Sequence, residues 1–555
     1  MIRMNPHSLW TLLFALVLYG CAGPSANRLP QWMDADMRDI PKPTPVEEFQ
    51  KWDFIDHSLF YPLGTLLDLE WTALRVAGRL GVGQGKQADN LNALDEAPNS
   101  SWFTNRHFHH RMSPEAVAEG PGSSQPDTSG IWRVKSGKTV GLTPGFTIVD
   151  PLGKRYIIKF EVGQWPEMSS SAEAISTRIF HAAGYNVPQN SVIFFRPEQL
   201  TLAPDAVLRF PDGTRRPLTA DDLKHILKAV DPRPDGRLRA LSSAYLDGEP
   251  LGPPGFHGRR RDDPNDRVLH EHRRELRGMR VISSWLHDTD RRTANMLDLY
   301  VSGERGNRFV RHYVIDFGST LGSNNRTPHA PHYGIDYLWD PGSMAKSLLT
   351  LGFRSRDVAV PTILPYPSIG YYDNGSFSPG GWVTSYPNAA FLWRTDRDGY
   401  WGAKIVMSFT DADIAAVVKT GRLLDPDAEA ELRRLMIELR DMIGRYWFER
   451  VNPLDHFRVE GRSLVFEDLA VTGGIEERPN SRYRAALRAE DERPQGPEQV
   501  MESTSVPLDG LAPDRYYVCD LWTERPTNGW SDRTRVRFYL GKDGAGAVVG
   551  IGRED

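Results

Sequence analysis

The chain has 555 residues, 40% hydrophobic and 25% charged, with 67 Lys and Arg against 72 Asp and Glu. It is too long for a single hydrophobic core and too apolar for a disordered chain, so two or three globular domains are expected. The net charge of -5 excludes a global pull toward nucleic acid or anionic lipid, so any partner must be recognised locally.

The chain starts MIRMNPHSLWTLLFALVLYGCAGPS, with Arg3, an apolar run from Leu9 to Tyr19 and small residues around Cys21. This is the pattern of a secretory signal, too short to span a bilayer stably. Leu18-Tyr19-Gly20-Cys21 resembles the bacterial lipobox, whose cysteine is lipidated and becomes the mature N-terminus. The resemblance implies a signal peptide over residues 1–20 and a membrane anchor at Cys21. Because Ala22 follows in place of Asp, it also implies an outer-membrane location facing the periplasm or the cell surface. Acyl chains hold by burying CH₂ groups at about 0.8 kcal/mol each, so the rest is expected to be a soluble body on a tether. The other cysteine, Cys519 in DRYYVCDLW, alternates with aromatic residues and reads as a buried thiol in a strand.

Residues 21–130 read as tether and N-terminal extension with one helix over 63–80. RHFHHR, with His107, His109 and His110, lacks a carboxylate or cysteine at ligand spacing and reads as a solvated loop. From Ile131 three β-rich runs, joined by a Gly-containing loop and a DPLGK turn, predict an antiparallel meander. SSSAEAISTRIFHAAG predicts a helix capped by Ser169 and stopped by Gly184, and NSVIFF returns as a strand. Residues 200–265 read as turns and charged loops around one short helix at 220–229. The run Arg259, Arg260, Arg261 is a solvated face or an anionic docking patch. A helix is expected from about residue 267 to His287, followed by a strand pair, MLDLYV and HYVIDF. The chain then reads as loop-rich to about Met407, followed by helices capped by Thr410 and opened by Pro426. Residues 457–555 return to strands and turns, with DGAG as a hairpin signal.

Phosphoryl transfer needs a cation for nucleotide phosphates, oxygen ligands for Mg²⁺ and a carboxylate to place the acceptor hydroxyl. All occur in chain order. Lys159, on the third strand, would meet the phosphates, and Glu173 on the following helix would hold that lysine. Asp290 would orient the hydroxyl, while Asn295 and Asp316 would be the metal ligands. Asp288 competes with Asp290, but its asparagine would then be seven residues away; His287 reads as a buttress of the loop. Gly137 and Gly141, in KSGKTVG, are plausible backbone donors to phosphate, although three spaced glycines are absent.

This order of lysine strand, glutamate helix, Asp290-Arg-Arg-Thr-Ala-Asn295 loop and Asp316-Phe-Gly resembles the protein-kinase-like superfamily. The loop looks most like HipA-like and phosphatidylinositol-kinase-like members. On that resemblance Arg292 is placed to touch the transferring phosphoryl, and ATP and Mg²⁺ are the implied cofactors. The implied fold is α+β and two-lobed, with an antiparallel β N-lobe over 131–200 and a mainly helical C-lobe with loop-rich insertions over 201–456. The β-rich region 457–555 is additional to it. The expectation is an envelope lipoprotein that is either a phosphotransferase acting on a protein, lipid or small-molecule hydroxyl, or a catalytically inactive kinase-fold scaffold. No Gly-x-Ser-x-Gly elbow or zinc motif favours a hydrolase.

Overall fold

A computed structural model describes residues 30–46, 85–122, 124–138, 144–161, 164–210, 214–228, 230–337, 366–526, 529–542 and 545–554. The signal segment, Cys21, Gly141 and the helix expected over 63–80 lie outside the described residues.

The predicted meander forms as β1 (Trp132–Lys138), β2 (Gly145–Val149) and β3 (Arg155–Lys159), paired antiparallel in sequence. Alternation explains it: Val134, Phe146, Ile148, Tyr156 and Ile158 turn inward and are almost wholly buried. NSVIFF is β4 (Asn190–Phe195), as expected. The sheet then gains strands where turns and loops were read: β5 (Leu200–Arg209), β6 (Arg215–Pro217) and β7 (Leu238–Ala244). Its order is β4-β7-β3-β2-β1-β5-β6, with β5 parallel to β1. The sheet therefore runs well past residue 200. The reading missed β5 and β7 because β5 contains Pro204, and because Pro, Gly and Arg dominate the turns around them.

The preceding helix in the chain is short, α1 (Pro114–Glu119). The glutamate-bearing helix is α2 (Met168–Ala183), which ends on Gly184 at φ 122°. Its N-cap is Glu167, not Ser169, which lies inside the first turn and is buried. The short helix α3 (Ala220–Lys228) covers the β1–β5–β6 end, where Leu223 and Ile226 pack on the sheet core.

A second, three-stranded sheet has the order β10-β9-β8, from β8 (Glu249–Gly252), β9 (Met296–Ser302) and β10 (Arg308–Val314). Between its strands runs α4 (Arg274–Trp285), which starts later than expected, after a 3₁₀ turn at His270–His272. Every residue of α4 is buried, including Arg274, Arg277 and Arg280. Arg260, read as part of a charged face, is also nearly sealed and pairs with Asp298 at 3.2 Å.

A two-residue hairpin, β11 (Ser323–Asn324) and β12 (Thr327–Pro328), follows. The stretch read as loop-rich holds α5 (Ala389–Leu392) and α6 (Asp396–Ser408), the latter opened by a Thr395/Asp398 capping box. Two glycines, Gly399 and Gly402, lie inside α6. Both are close-packing sites: a Cβ on Gly399 would meet the Trp447 ring at 2.3 Å. Then come α7 (Asp411–Lys419), capped by Thr410, and α8 (Pro426–Phe448), opened by Pro426, both as predicted. These helices share one core with α2 and α4 around Trp285, Trp401, Met436 and Trp447. Within it His107 is fully buried, with Nε2 3.1 Å from the Ser408 carbonyl and 3.4 Å from Asp413. His107 is thus a packing element, whereas His110, in the same turn, is exposed.

The C-terminal strands are β13 (Leu454–Glu460), β14 (Ser463–Asp468), β15 (Arg482–Ala489), β16 (Gln499–Met501), β17 (Ser505–Pro507), β18 (Arg515–Arg525), β19 (Gly529–Trp530), β20 (Thr534–Leu540) and β21 (Gly546–Arg553). They form two sheets, β13-β14-β17 and β16-β15-β18-β20-β21, over a core of their own. Cys519 lies fully buried on β18, where burial raises its thiol pKa. The architecture is mixed α+β throughout. Among the described residues no helix is long and apolar enough to cross a membrane.

Candidate active site

Lys159 ends β3 and Glu173 lies one turn into α2, so antiparallel pairing and helix phase set both side chains. Lys159 Nζ lies 2.9 and 3.1 Å from the two Glu173 oxygens and 3.4 Å from Asp316 Oδ1. Burial alone would lower the lysine pKa, but the Asp316 and Glu173 carboxylates outweigh it and hold the ammonium above its ordinary value. Asn190, on β4, donates to Glu173 Oε1 at 3.2 Å and to Thr177 Oγ1 at 2.9 Å, fixing the glutamate from the other side.

The loop after α4 supplies the next groups. Asn295 Nδ2 donates to the Asp290 carbonyl at 2.7 Å and to Asp290 Oδ2 at 3.0 Å, and Arg292 Nε meets Asp290 Oδ1 at 2.9 Å. Burial raises the Asp290 pKa; Arg292 and Asn295 oppose the shift, and the nearby Asp316 charge adds to it. Asp288 faces inward and pairs with Arg291 at 2.7 Å. His287 bonds to the Tyr333 carbonyl at 3.1 Å and so buttresses the loop. His287 and Asp316 hold φ of 51° and 55°, in the left-handed region. Such conformations cost on the order of 1–3 kcal/mol and persist where surrounding structure over-determines them.

Arg291 was given no role in the sequence, yet it joins the parts. Its Nη1 donates to the carbonyls of Asn295 at 2.7 Å and Ile315 at 2.9 Å. Its Nε donates to Asp288 Oδ2 at 2.8 Å. The guanidinium also sits over the Phe180 and Phe317 rings at 5.5 and 5.0 Å. One buried side chain thus connects the Asp290 loop, the Asp316 turn and α2. The only sequence signal was a second arginine beside the loop aspartate.

Lys159, Glu173 and Asp316 line a cleft of about 1090 Å³ between the seven-stranded and three-stranded sheets. Its apolar walls include Ile157, Leu246, Leu297, Leu299 and Ile315. Lys135, Arg155 and Arg209 also line it. Gly137 lines the cleft too, but from inside β1, where it pairs with Phe146 on one side and Leu208 on the other. Its backbone is therefore engaged in the ladder. Its lack of a side chain is explained by packing, since a Cβ would meet Leu208 and Leu218 at 2.8 and 3.0 Å. The expectation that Gly137 donates to phosphate from a loop does not suit that position.

No family model and no curated protein matches the chain. Matching solved structures include the crystal structure of the Golgi casein kinase, 8% identical over 76% of this chain and 95% of that one, with a TM-score of 0.29. The crystal structure of the Golgi casein kinase with Mn/ADP bound is 9% identical over 76% of this chain and 94% of that one, also with a TM-score of 0.29. At that TM-score neither likeness carries an argument. The site rests on its own geometry. Among the described residues no cluster of three or more His, Cys, Asp or Glu could hold a metal ion. Mg²⁺ needs no such cluster, because one or two protein oxygens together with phosphates and waters complete its shell.

Proposed function

We propose that the chain is a two-lobed, protein-kinase-like phosphotransferase that uses ATP and Mg²⁺ and acts on a hydroxyl acceptor. The observation that carries this reading is Lys159, held between Glu173 and Asp316 in the lining of a cleft large enough for a nucleotide. Fit to the implied group is supported by charge. Glu173, Asp288, Asp290 and Asp316 outnumber Lys159, Arg291 and Arg292 by four carboxylates to three cations, which suits an added divalent cation. Lys135, Arg155 and Arg209, which line the cleft together with Asp205 and Asp247, would supply positive charge for a triphosphate.

Mg²⁺-bound ATP would supply the transferable phosphoryl group and the charge neutralisation for its departure. Lys159 would hold the phosphates, with Glu173 and Asn190 fixing its position. Asn295, whose Nδ2 is engaged with Asp290, would offer Oδ1 to the metal, and Asp316 would offer its half-exposed carboxylate. Asp290 would receive the acceptor's hydroxyl proton, held in place by Asn295 and Arg292. Its raised pKa makes it a better proton acceptor than an ordinary carboxylate.

Thermal melting of the full chain with Mg²⁺ and ATP tests this reading. At ligand about a hundred times Kd the expected stabilisation is about 2.7 kcal/mol. Asp316→Asn should abolish the rise, and no shift with any nucleotide overturns the proposal. We also infer that Cys21 carries the lipid anchor of an envelope protein. Labelled palmitate should be incorporated by the full chain and lost in Cys21→Ala; label retained in that variant refutes the anchor.

A further inference from the structure

Behind the Asp290 loop lies a second cavity, of about 250 Å³, with Ser284 and His287 in its wall. It is lined by aromatic side chains, Tyr333, Tyr372, Phe377 and Trp382, together with Asp373. Trp382 is 2% exposed, and among the described residues its indole Nε1 has no hydrogen-bond partner. Gly334 lines the same cavity and packs closely on this indole: a Cβ there would lie 2.8 Å from Trp382 Nε1 and 2.7 Å from His287 Nε2. Gly334 has φ of +80°, so backbone conformation also favours glycine here. A buried indole N–H is normally paired, and this unpaired one belongs to a residue that lines the cavity.

The lining selects among ligands. Among the described residues no Lys or Arg lines the cavity and Asp373 does, so a phosphate or carboxylate would meet an acid there. A purely apolar ligand would leave the indole N–H unpaired, and a simple cation offers it no acceptor. A neutral hydroxyl accepts from the indole and can donate to Asp373 or to the seryl oxygens of Ser284 and Ser378. Flat aromatic walls with hydroxyl-matching polar groups suit an amphipathic ring, and the volume suits one such ring. We propose that this cavity binds a neutral sugar or cyclic polyol. The cavity adjoins the catalytic loop through His287, which bonds to the Tyr333 carbonyl, and the Asp290 charge acts on the Tyr333 phenol. The ligand's role as the phosphate acceptor rests on the phosphotransfer reading above; its binding does not.

Saturation-transfer NMR on the full chain with glucose, galactose and N-acetylglucosamine as probes tests this. At least one should receive saturation. Trp382→Phe, which keeps the ring and removes the N–H, should weaken its Kd about five- to tenfold. Asp373→Asn, at a half-buried position where misfolding is less of a concern, should weaken it about threefold or more. No transfer to any of the three, transfer only to a serine-containing peptide, or unchanged affinity in both variants overturns the proposal. Nucleotide-induced melting shifts, measured on the same samples, separate the two readings. A shift without sugar binding removes the sugar pocket alone. Sugar binding without a shift leaves the pocket standing and removes phosphate transfer.

Discussion

Two lysines in this molecule each sit between two carboxylates, and they do opposite things. Lys404, on α6, lies between Glu96 and Asp455, the latter at 3.0 Å; it is 2% exposed. Arg553 adds 3.0 Å to the same Asp455, while Asp95 meets Arg274 at 2.9 Å and Arg397 at 3.0 Å. The result is a sealed network that ties the segment before α1 to α4, α6, β13 and β21. Lys159 has the same two-acid arrangement, but its Asp316 partner is 42% exposed and faces the cleft. Closure makes one triad a staple, and openness leaves the other able to exchange an acid for a ligand.

The pKa shifts separate the two sets in the same way. Burial pushes Asp455 upward, but Lys404 and Arg553 outweigh it, and the carboxyl is held well below its usual range. In the open set Asp288 is buried with one cation, and Asp290 and Asp316 nearby add negative charge, so its pKa rises to about 6.

The largest expected effect comes from breaking the sealed triad. Lys404→Met should destabilise the chain by about 3–5 kcal/mol in denaturant titration, because it strands buried carboxylates without their partner. Lys159→Met should cost less stability, because Asp316 can reach water, and should instead remove nucleotide-induced stabilisation. Equal losses of stability in the two variants would erase the distinction drawn between the triads.

Asp288 gives the next effect. Its folded pKa of about 6 exceeds the ordinary 3.8, so the folded chain holds this proton more tightly than the unfolded chain. The stabilisation is fully present below about pH 4 and is lost as pH rises through about 6. Two pKa units correspond to about 3 kcal/mol. The stability of wild type minus that of Asp288→Asn should fall by roughly that amount between pH 4 and pH 7. A difference that stays flat across the range would show that Asp288 is not held in this way.

The open site was more legible in sequence than the sealed network, for a physical reason. Lys159, Glu173, Asp290, Asn295 and Asp316 stand at spacings set by single strands, helices and turns, and the structure brings them to one place. Arg274 pairs with Asp95 and Asp398, more than a hundred residues away in either direction, so nothing within HEHRRELR itself shows what neutralises its charge. No periodicity shows that α4 is buried all round, because its polar side is neutralised by distant acids rather than by water. The strand β5 was hidden similarly: its parallel pairing with β1 is long-range, and its own residues include Pro204 and Asp205.

A third lysine completes the gradient from closed to open. Lys135 lines the cleft and meets Asp205 at 2.7 Å, with side chains 37% and 70% exposed. Water screens such a pair, so breaking it should change stability by only about 0.2–1 kcal/mol. The same screening makes the lysine cheap to redirect, since leaving Asp205 exposes no buried charge. Lys135→Ala should therefore melt within about 3 °C of wild type, yet bind Mg²⁺-ATP about threefold to tenfold more weakly, as read by isothermal titration. Affinity unchanged in Lys135→Ala would confine the phosphate-facing charge to Lys159, Arg155 and Arg209. Weakened affinity with unchanged melting is the signature of a cation that serves the ligand rather than the fold.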